Sequence, residues 1–526
     1  MQRRRGGPRG ETVEVSIDEQ ESASTAAVAR PIWSRRWIWL GALASWLLMS
    51  VAGLGTLRHL RSSGFALTGD EPHYLINAIG LGRFHSITVV AATRDVVLHH
   101  LMPGLGSVES LLRSAPKGIY PLHEPGLASL LALPALLGIT AAVRSLIVLV
   151  ALGFVGLSLL AWRAAGHDAP WPFAALLVVA TPATFVAMTQ VYPDLLAGIV
   201  LAAVLMAVLA SERGLPLPAG AWLAVGVGAS TLPWLHLKNL LPCLLLVAVL
   251  LVASRRSAEP RRAALLVALG SSLPLLALLA YNLRVFGASL APTTPLAWGS
   301  SATLTRAVGL VVDGQQGLLV QQPALLLGVA GMIVLARRAP LAVGTAAIAS
   351  LWIWLSNAAV TNPYGGLSPT GRFGFELVPV LGAFGGLALI ELRRRRRLIA
   401  ILLAAACAAL ALVEAVPVYL LDHHVLLNGA DVAWTWASGR PLAWWPASTL
   451  PPCLSASCLA HPWSPTRSWF STLLLLGMGT AAVAALVSLL SDRPTRSSKI
   501  VAGLALFVSL IALVALLVSA VPATAT

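Results

Sequence analysis

LTGDEPHYLINAIG, residues Leu67 to Gly80, follows shortly after the first long apolar run of the chain, Trp37 to Leu57. It places two adjacent carboxylates, Asp70 and Glu71, with Pro72, His73 and Tyr74, beside a segment long enough to cross a bilayer. Ionised groups are expelled from apolar surroundings unless something holds them, so charge at such a place points to a task. The task depends on whether the rest of the chain is built for a membrane.

It is. Of the 526 residues, 57% are hydrophobic and 11% are charged, against roughly a quarter charged in soluble domains. These proportions predict an all-α polytopic membrane protein. The net charge of +15 is nearly all arginine, and lysine occurs only at Lys117, Lys238 and Lys499. The arginines sit in short clusters between apolar runs and form no continuous basic face, which is a topological pattern and excludes nucleic acid as a partner. Residues 1–36 are polar and read as a disordered cytoplasmic tail. The run from Trp37 is too long and too deep in the chain for a cleaved signal peptide, so it stays as a helix.

Basic clusters at Arg35–Arg36, Arg255–Arg262, Arg337–Arg338, Arg393–Arg397 and Arg493–Arg496 assign those turns to the cytoplasm. Between them the apolar runs predict about thirteen spans, near 37–57, 145–163, 172–189, 194–211, 219–235, 239–253, 263–281, 318–336, 340–357, 377–390, 397–419, 469–490 and 500–520. The stretch 126–139 makes only about 21 Å of helix against a hydrocarbon core of ~30 Å, and is read as a helix in the outer interface. The expected protein is a multi-pass cell-membrane protein with a cytoplasmic N-terminus. Its parts are the tail 1–36, a transmembrane module 37–390 including the outer loop 58–144, and a C-terminal region 391–526 with an outer loop 420–468.

This topology gathers the polar chemistry on the extracytoplasmic face. Asp70 and Glu71 open an amphipathic helix with Pro72 in its first turn, and Asp70 is a natural N-cap. A carboxylate so placed is also a candidate general base. YPLHEPGL (Tyr120–Leu127) brings His123 and Glu124, which taken alone read more readily as a solvated turn before Pro125 than as a second polar cluster. QVYPDLL (Gln190–Leu196) puts Asp194 where it would cap the next helix. LPWLHLKNLLP places His236 and Lys238 between two spans, either as a snorkelling lysine or as cations that hold an anion. In NPYGGLSPTGRFGFELVP, Arg372 either pairs with Glu376 one turn on or offers a guanidinium fork to a phosphate. Asp70, Glu71, His123 and Glu124 together also have the donor chemistry for a divalent metal. There is no P-loop, HExxH or GxSxG pattern.

Several stretches together resemble the C-type (GT-C) membrane glycosyltransferase superfamily, which includes protein O-mannosyltransferases and the lipid A aminoarabinose transferase. Asp70, Glu71 and Tyr74 match its D-E-x-x-Y pattern, and YPLHEPGL is similar to its Y-x-x-(H/K)-P-P-L turn. YNLRVFG, GLVVDGQQGLLVQQP and GGLSPTGRF resemble later segments. The resemblance covers residues 37–390 and departs at Glu124, where some members carry Lys before the proline. It implies transfer of a sugar from a polyprenyl-phosphate carrier to a glycan, lipid or protein acceptor on the extracytoplasmic face. Asp70 would be the catalytic carboxylate with Glu71 beside it. Tyr74, His123, Glu124, Asp194, His236, Lys238 and Arg372 would line the substrate site among membrane lipids, with Arg372, Lys238 and a protonated His236 facing the phosphate. The rival from another class is a transporter or flippase for a lipid-linked or anionic substrate. Cys453 and Cys458, close together in an outer loop, are expected to form a disulfide.

Overall fold

The computed structural model describes residues 35–62, 67, 70–99, 112–115, 118–121, 123–166, 169–290, 303, 307, 310–311, 317–360, 372–416, 419, 479 and 482–488. The described chain is mostly helical. After α1 (Arg35–Ser62), the outer-loop region forms α2 (Glu71–Arg83), α3 (Val90–Leu98), a hairpin of β1 (Leu112–Ala115) and β2 (Gly118–Pro121), and α4 (Gly126–Ala135). The bundle continues with α5 (Ile139–Ala165), α6 (Ala174–Val179), α7 (Pro182–Thr189), α8 (Asp194–Glu212), α9 (Ala219–Leu235), α10 (Leu240–Ser254) and α11 (Pro260–Phe286). Then come α12 (Leu318–Gln321), α13 (Leu326–Leu335), α14 (Pro340–Ala358), α15 (Leu377–Arg395) and α16 (Arg397–Val416). Among the described residues, six helices are long and apolar enough to cross a membrane: Arg36–Ser62, Ile139–Ala165, Asp194–Glu212, Leu237–Ser254, Pro260–Phe286 and Pro340–Ala358.

Four readings of the sequence are corrected. The run 172–189 is two short helices, broken where Ala180 and Thr181 leave helical geometry ahead of Pro182, a residue that disfavours helical backbone before it. The run 318–336 breaks similarly at Gln322, before Pro323. The first outer loop, expected to contain interfacial helices, also forms an antiparallel hairpin, with Arg113 opposite Tyr120. Finally, α2 is not amphipathic in use: every residue from Glu71 to Gly80 is buried. The stretch 126–139 is a separate short helix, α4, ended by a turn at Gly138 before α5. The boundary drawn at 390 falls inside α15, and the Cys453–Cys458 pair lies outside the described residues. Cys243 and Cys407 are buried and free, as core fillers.

α8, α10, α14 and α15 connect two polar ends of the bundle. At one end the carboxylate of Glu212 accepts hydrogen bonds from the backbone N–H groups of Leu341 and Ala342 at the start of α14 (3.0 and 2.8 Å). Arg256 lies 3.7 Å from the same carboxylate, and Arg338, Arg394 and Arg395 surround Glu391. The opposite end holds Asp194, Lys238, Asn357 and Glu376 at the other termini of the same four helices. Close helix contact at that end depends on small residues. A Cβ on Gly198 of α8 would meet the backbone oxygen of Glu376 at 2.3 Å, and one on Gly126 of α4 would meet the oxygen of Trp234 at 2.4 Å.

Candidate functional site

Asp70 stands at the N-cap position of α2, as the sequence predicts, and its backbone oxygen receives the N–H groups of His73 and Tyr74. Its side chain makes no capping hydrogen bond. Instead it reaches Arg372, whose Nη1 donates to Oδ2 at 2.9 Å. Arg372 Nε faces Asp194 Oδ2 at 3.5 Å, and the guanidinium carbon lies 3.6 Å above the centre of the Tyr192 ring. The stacked, forked geometry is one that lysine could not supply.

The network continues into the bundle. Lys238 Nζ donates to Asp194 Oδ1 (3.2 Å) and Asn357 Oδ1 (3.2 Å) and pairs with Glu376 Oε2 (3.1 Å). Asn239 Nδ2 donates to Glu376 Oε1 at 3.1 Å, and Trp352 Nε1 donates to the Lys238 carbonyl at 2.8 Å. Charges therefore alternate along Asp70, Arg372, Asp194, Lys238 and Glu376. Each buried ion has opposite-sign neighbours, the condition under which a charge persists in a low-dielectric interior. The N-termini of α2, α8, α10 and α15 converge here, and their dipoles offset the single excess negative charge.

These contacts decide between several alternatives. Asp194 does not cap α8; it ties two cations together. Lys238 does not snorkel, since its side chain is 11% exposed and bonded to three partners. Arg372 pairs with Asp70 and Asp194, while Glu376, its neighbour in the next turn, pairs with Lys238.

Around Asp70, the His123 ring stacks on Tyr74 at 4.6 Å and 21°, and Tyr74 meets Tyr192 edge-on at 6.4 Å. His123 Nε2 is 3.8 Å from Asp70 Oδ1, within ion-pair reach but beyond a hydrogen bond. Among the described residues, that nitrogen and the Tyr74 hydroxyl are buried without hydrogen-bond partners. Burial pushes the Asp70 pKa up, but the Arg372 guanidinium and the His123 ring outweigh it and hold the carboxyl well below the usual carboxylate range. Burial, with His123 nearby, pushes His73 down to about 4.

Glu71 and Glu124 take structural partners. Glu71 Oε1 accepts the Val191 N–H at 2.7 Å and so fastens α2 to the loop before α8. Glu124 Oε1 accepts the Leu237 N–H at 3.0 Å and joins α4 to the turn before α10; burial raises its pKa. With these two carboxylates turned to separate backbones, the four-residue metal cluster is not assembled. Among the described residues no group of three His, Cys, Asp or Glu side chains could hold a metal ion. His236 is corrected as well: burial and the Lys238 charge push it down to about 3, and its Nδ1 accepts the Lys238 N–H at 3.3 Å, so the ring is neutral.

Tyr192, Asn239, Asn357 and Glu376 belong to this site without having been singled out for it. Tyr192 and Asn239 lay within the quoted motifs beside Asp194 and Lys238. Asn357 gave no signal beyond being a polar residue at the end of a span. No family model, curated protein or solved structure matches the chain.

Proposed function

We propose that this chain is a membrane glycosyltransferase of the C-type kind, transferring a sugar from a polyprenyl-phosphate carrier to an acceptor hydroxyl on the extracytoplasmic face. One observation carries the reading. Asp70, Asp194 and Arg372, from three distant segments, meet in one network at one end of a helical bundle, with Tyr74 and His123 packed beside it. A base and two cations sharing one end of the bundle, with the Asp70 carboxylate one quarter exposed, are the parts that such a transfer needs.

In the reaction the acceptor oxygen attacks the anomeric carbon while its proton passes to an Asp70 oxygen. The bond from that carbon to the phosphate oxygen breaks, and the electron pair leaves with the carrier phosphate. Direct displacement inverts the anomeric centre. Proton abstraction by a positioned carboxylate contributes typically 10²–10⁴-fold. Arg372 opposes the charge that develops on the leaving phosphate, a preorganised interaction worth roughly 3–4 kcal/mol for one contact, and Lys238 stands behind it through Asp194. Exposed Leu130, Leu133 and Leu137 on and after α4 offer apolar surface for the carrier tail.

The test uses the full purified chain and a radiolabelled polyprenyl-phosphate sugar. Release of polyprenyl phosphate by transfer or slow hydrolysis is expected. Asp70→Asn should lower it at least about a hundredfold. Arg372→Ala should weaken donor binding by about 2–5 kcal/mol, and affinity within twofold of wild type in that variant would remove Arg372 from the donor site. The transporter or flippase reading draws on one observation, the two interrupted helices α6–α7 and α12–α13, which touch through Thr184 and Gln322 (3.4 Å); discontinuous helices often build transport sites. Movement of the lipid across proteoliposomes without cleavage would favour that reading over transfer.

A further inference from the structure

We infer that the carrier phosphate binds by replacing Asp70 on Arg372, so that the resting carboxylate occupies the phosphate's place and becomes a base only when the donor has displaced it. This rests on the reading of the chain as a polyprenyl-phosphate glycosyltransferase.

Arg372 is already engaged on several sides. Its Nη1 holds Asp70 at 2.9 Å, its Nε faces Asp194 at 3.5 Å, and the Tyr192 ring covers one face at 3.6 Å. A phosphate that is to meet this guanidinium as a fork must take an edge from one of the carboxylates. Asp70 is the one able to leave. Its side chain is 25% exposed, against 3% for Asp194, which Lys238 also holds at 3.2 Å.

Charge leads to the same exchange. The row Asp70, Arg372, Asp194, Lys238, Glu376 carries three negative and two positive groups. A sugar phosphodiester carries one negative charge, so trading it for Asp70 leaves the charge paired with Arg372 unchanged. Adding it beside Asp70 would set two anions on one cation in a poorly solvated place.

A receiving partner stands ready. His123 Nε2 is buried, has no hydrogen-bond partner among the described residues, and lies 3.8 Å from Asp70 Oδ1. A movement of about 1 Å would turn that approach into a hydrogen bond. Away from Arg372, Asp70 sheds the larger of the two influences that suppress its proton affinity, which makes it a better base at the moment the acceptor is attacked.

The experiment measures binding of a short-chain polyprenyl monophosphate, without sugar, to the full chain in detergent. Wild type, Asp70→Asn, Asp70→Ala, Arg372→Ala and the Asp70→Asn/Arg372→Ala double variant are compared. Asp70 makes no side-chain cap, and Arg372 keeps Asp194, so the Asp70 variants retain the helix start and the network core; thermal melts verify this. Removing the competing carboxylate should tighten binding at least about fivefold in both Asp70 variants. In the Arg372→Ala background the same replacement should bring no gain. Equal or weaker binding in the folded Asp70 variants overturns the exchange while leaving the glycosyltransferase reading intact. Absence of both lipid-phosphate binding and donor cleavage in the wild type overturns both.

Discussion

Asp70 shows how one residue can satisfy a local rule by position and ignore it by chemistry. It occupies the N-cap of α2 yet spends its carboxylate on Arg372, 302 residues away along the chain. Because its folded-state pKa is lowered, the ion pair stabilises the fold fully above the ordinary carboxylate pKa and loses that effect as pH falls through the lower folded value. The difference in thermal midpoint between wild type and Asp70→Asn should therefore stay constant above about pH 5 and narrow below about pH 4. A difference that instead widens on acidification would mean that the pairing is not made. Lys238 is the stricter structural residue. Lys238→Met leaves Asp194 and Glu376 buried against each other, a loss of about 3–5 kcal/mol by analogy with other broken buried pairs. Thermal unfolding in detergent reads it, and a wild-type midpoint would contradict the described network.

At the scale of elements, the site depends on how closely α8 can approach α15. Gly198 lies against the carbonyl of Glu376, where a Cβ would come within 2.3 Å of backbone oxygen. Backbone cannot yield as a flexible side chain does, so Gly198→Ala should force the helices apart and cost about 1–3 kcal/mol. It should also reduce donor turnover, because Glu376 and its partner Lys238 move with that helix start. Gly344 in α14 has nothing within 4 Å of an added Cβ. Gly344→Ala should therefore be neutral or stabilising by about 0.5–1 kcal/mol. Equal effects of the two substitutions on the melting temperature would show that the approach at Gly198 is not close.

At the scale of the molecule, the arginine-rich end and the Asp70–Lys238 end lie at opposite termini of the same four helices. α8, of 19 residues, is about 28 Å long, close to the thickness of a hydrocarbon core. The positive-inside rule predicts that the arginine end faces the cytoplasm, which labelling tests. Single cysteines introduced at Ala258, by the arginine cluster, and at Ser289, beyond the end of α11, in a background without the four native cysteines should respond oppositely to a membrane-impermeant maleimide. Ser289→Cys should label in intact cells, and Ala258→Cys only after permeabilisation. Labelling of Ala258→Cys in intact cells would reverse the orientation.

Sequence alone determined the solvent this protein is built for and which side chains are costly enough to matter. Hydropathy over a span and clustering of arginines are sums over neighbours in the chain, and helix α9 accordingly falls where periodicity and length put it, at Ala219–Leu235. The same local reading found Asp70, Asp194, Lys238 and Arg372, because charge beside apolar sequence is itself the signal. Only the tertiary structure decided whom they face. Pairing of Arg372 with Asp70 and of Lys238 with Glu376, and the use of Glu71 and Glu124 as clamps on distant backbone, depend on helices far apart in the chain. A buried charge selects its partner by distance in space and by the exclusion of water, and neither is written in the order of residues.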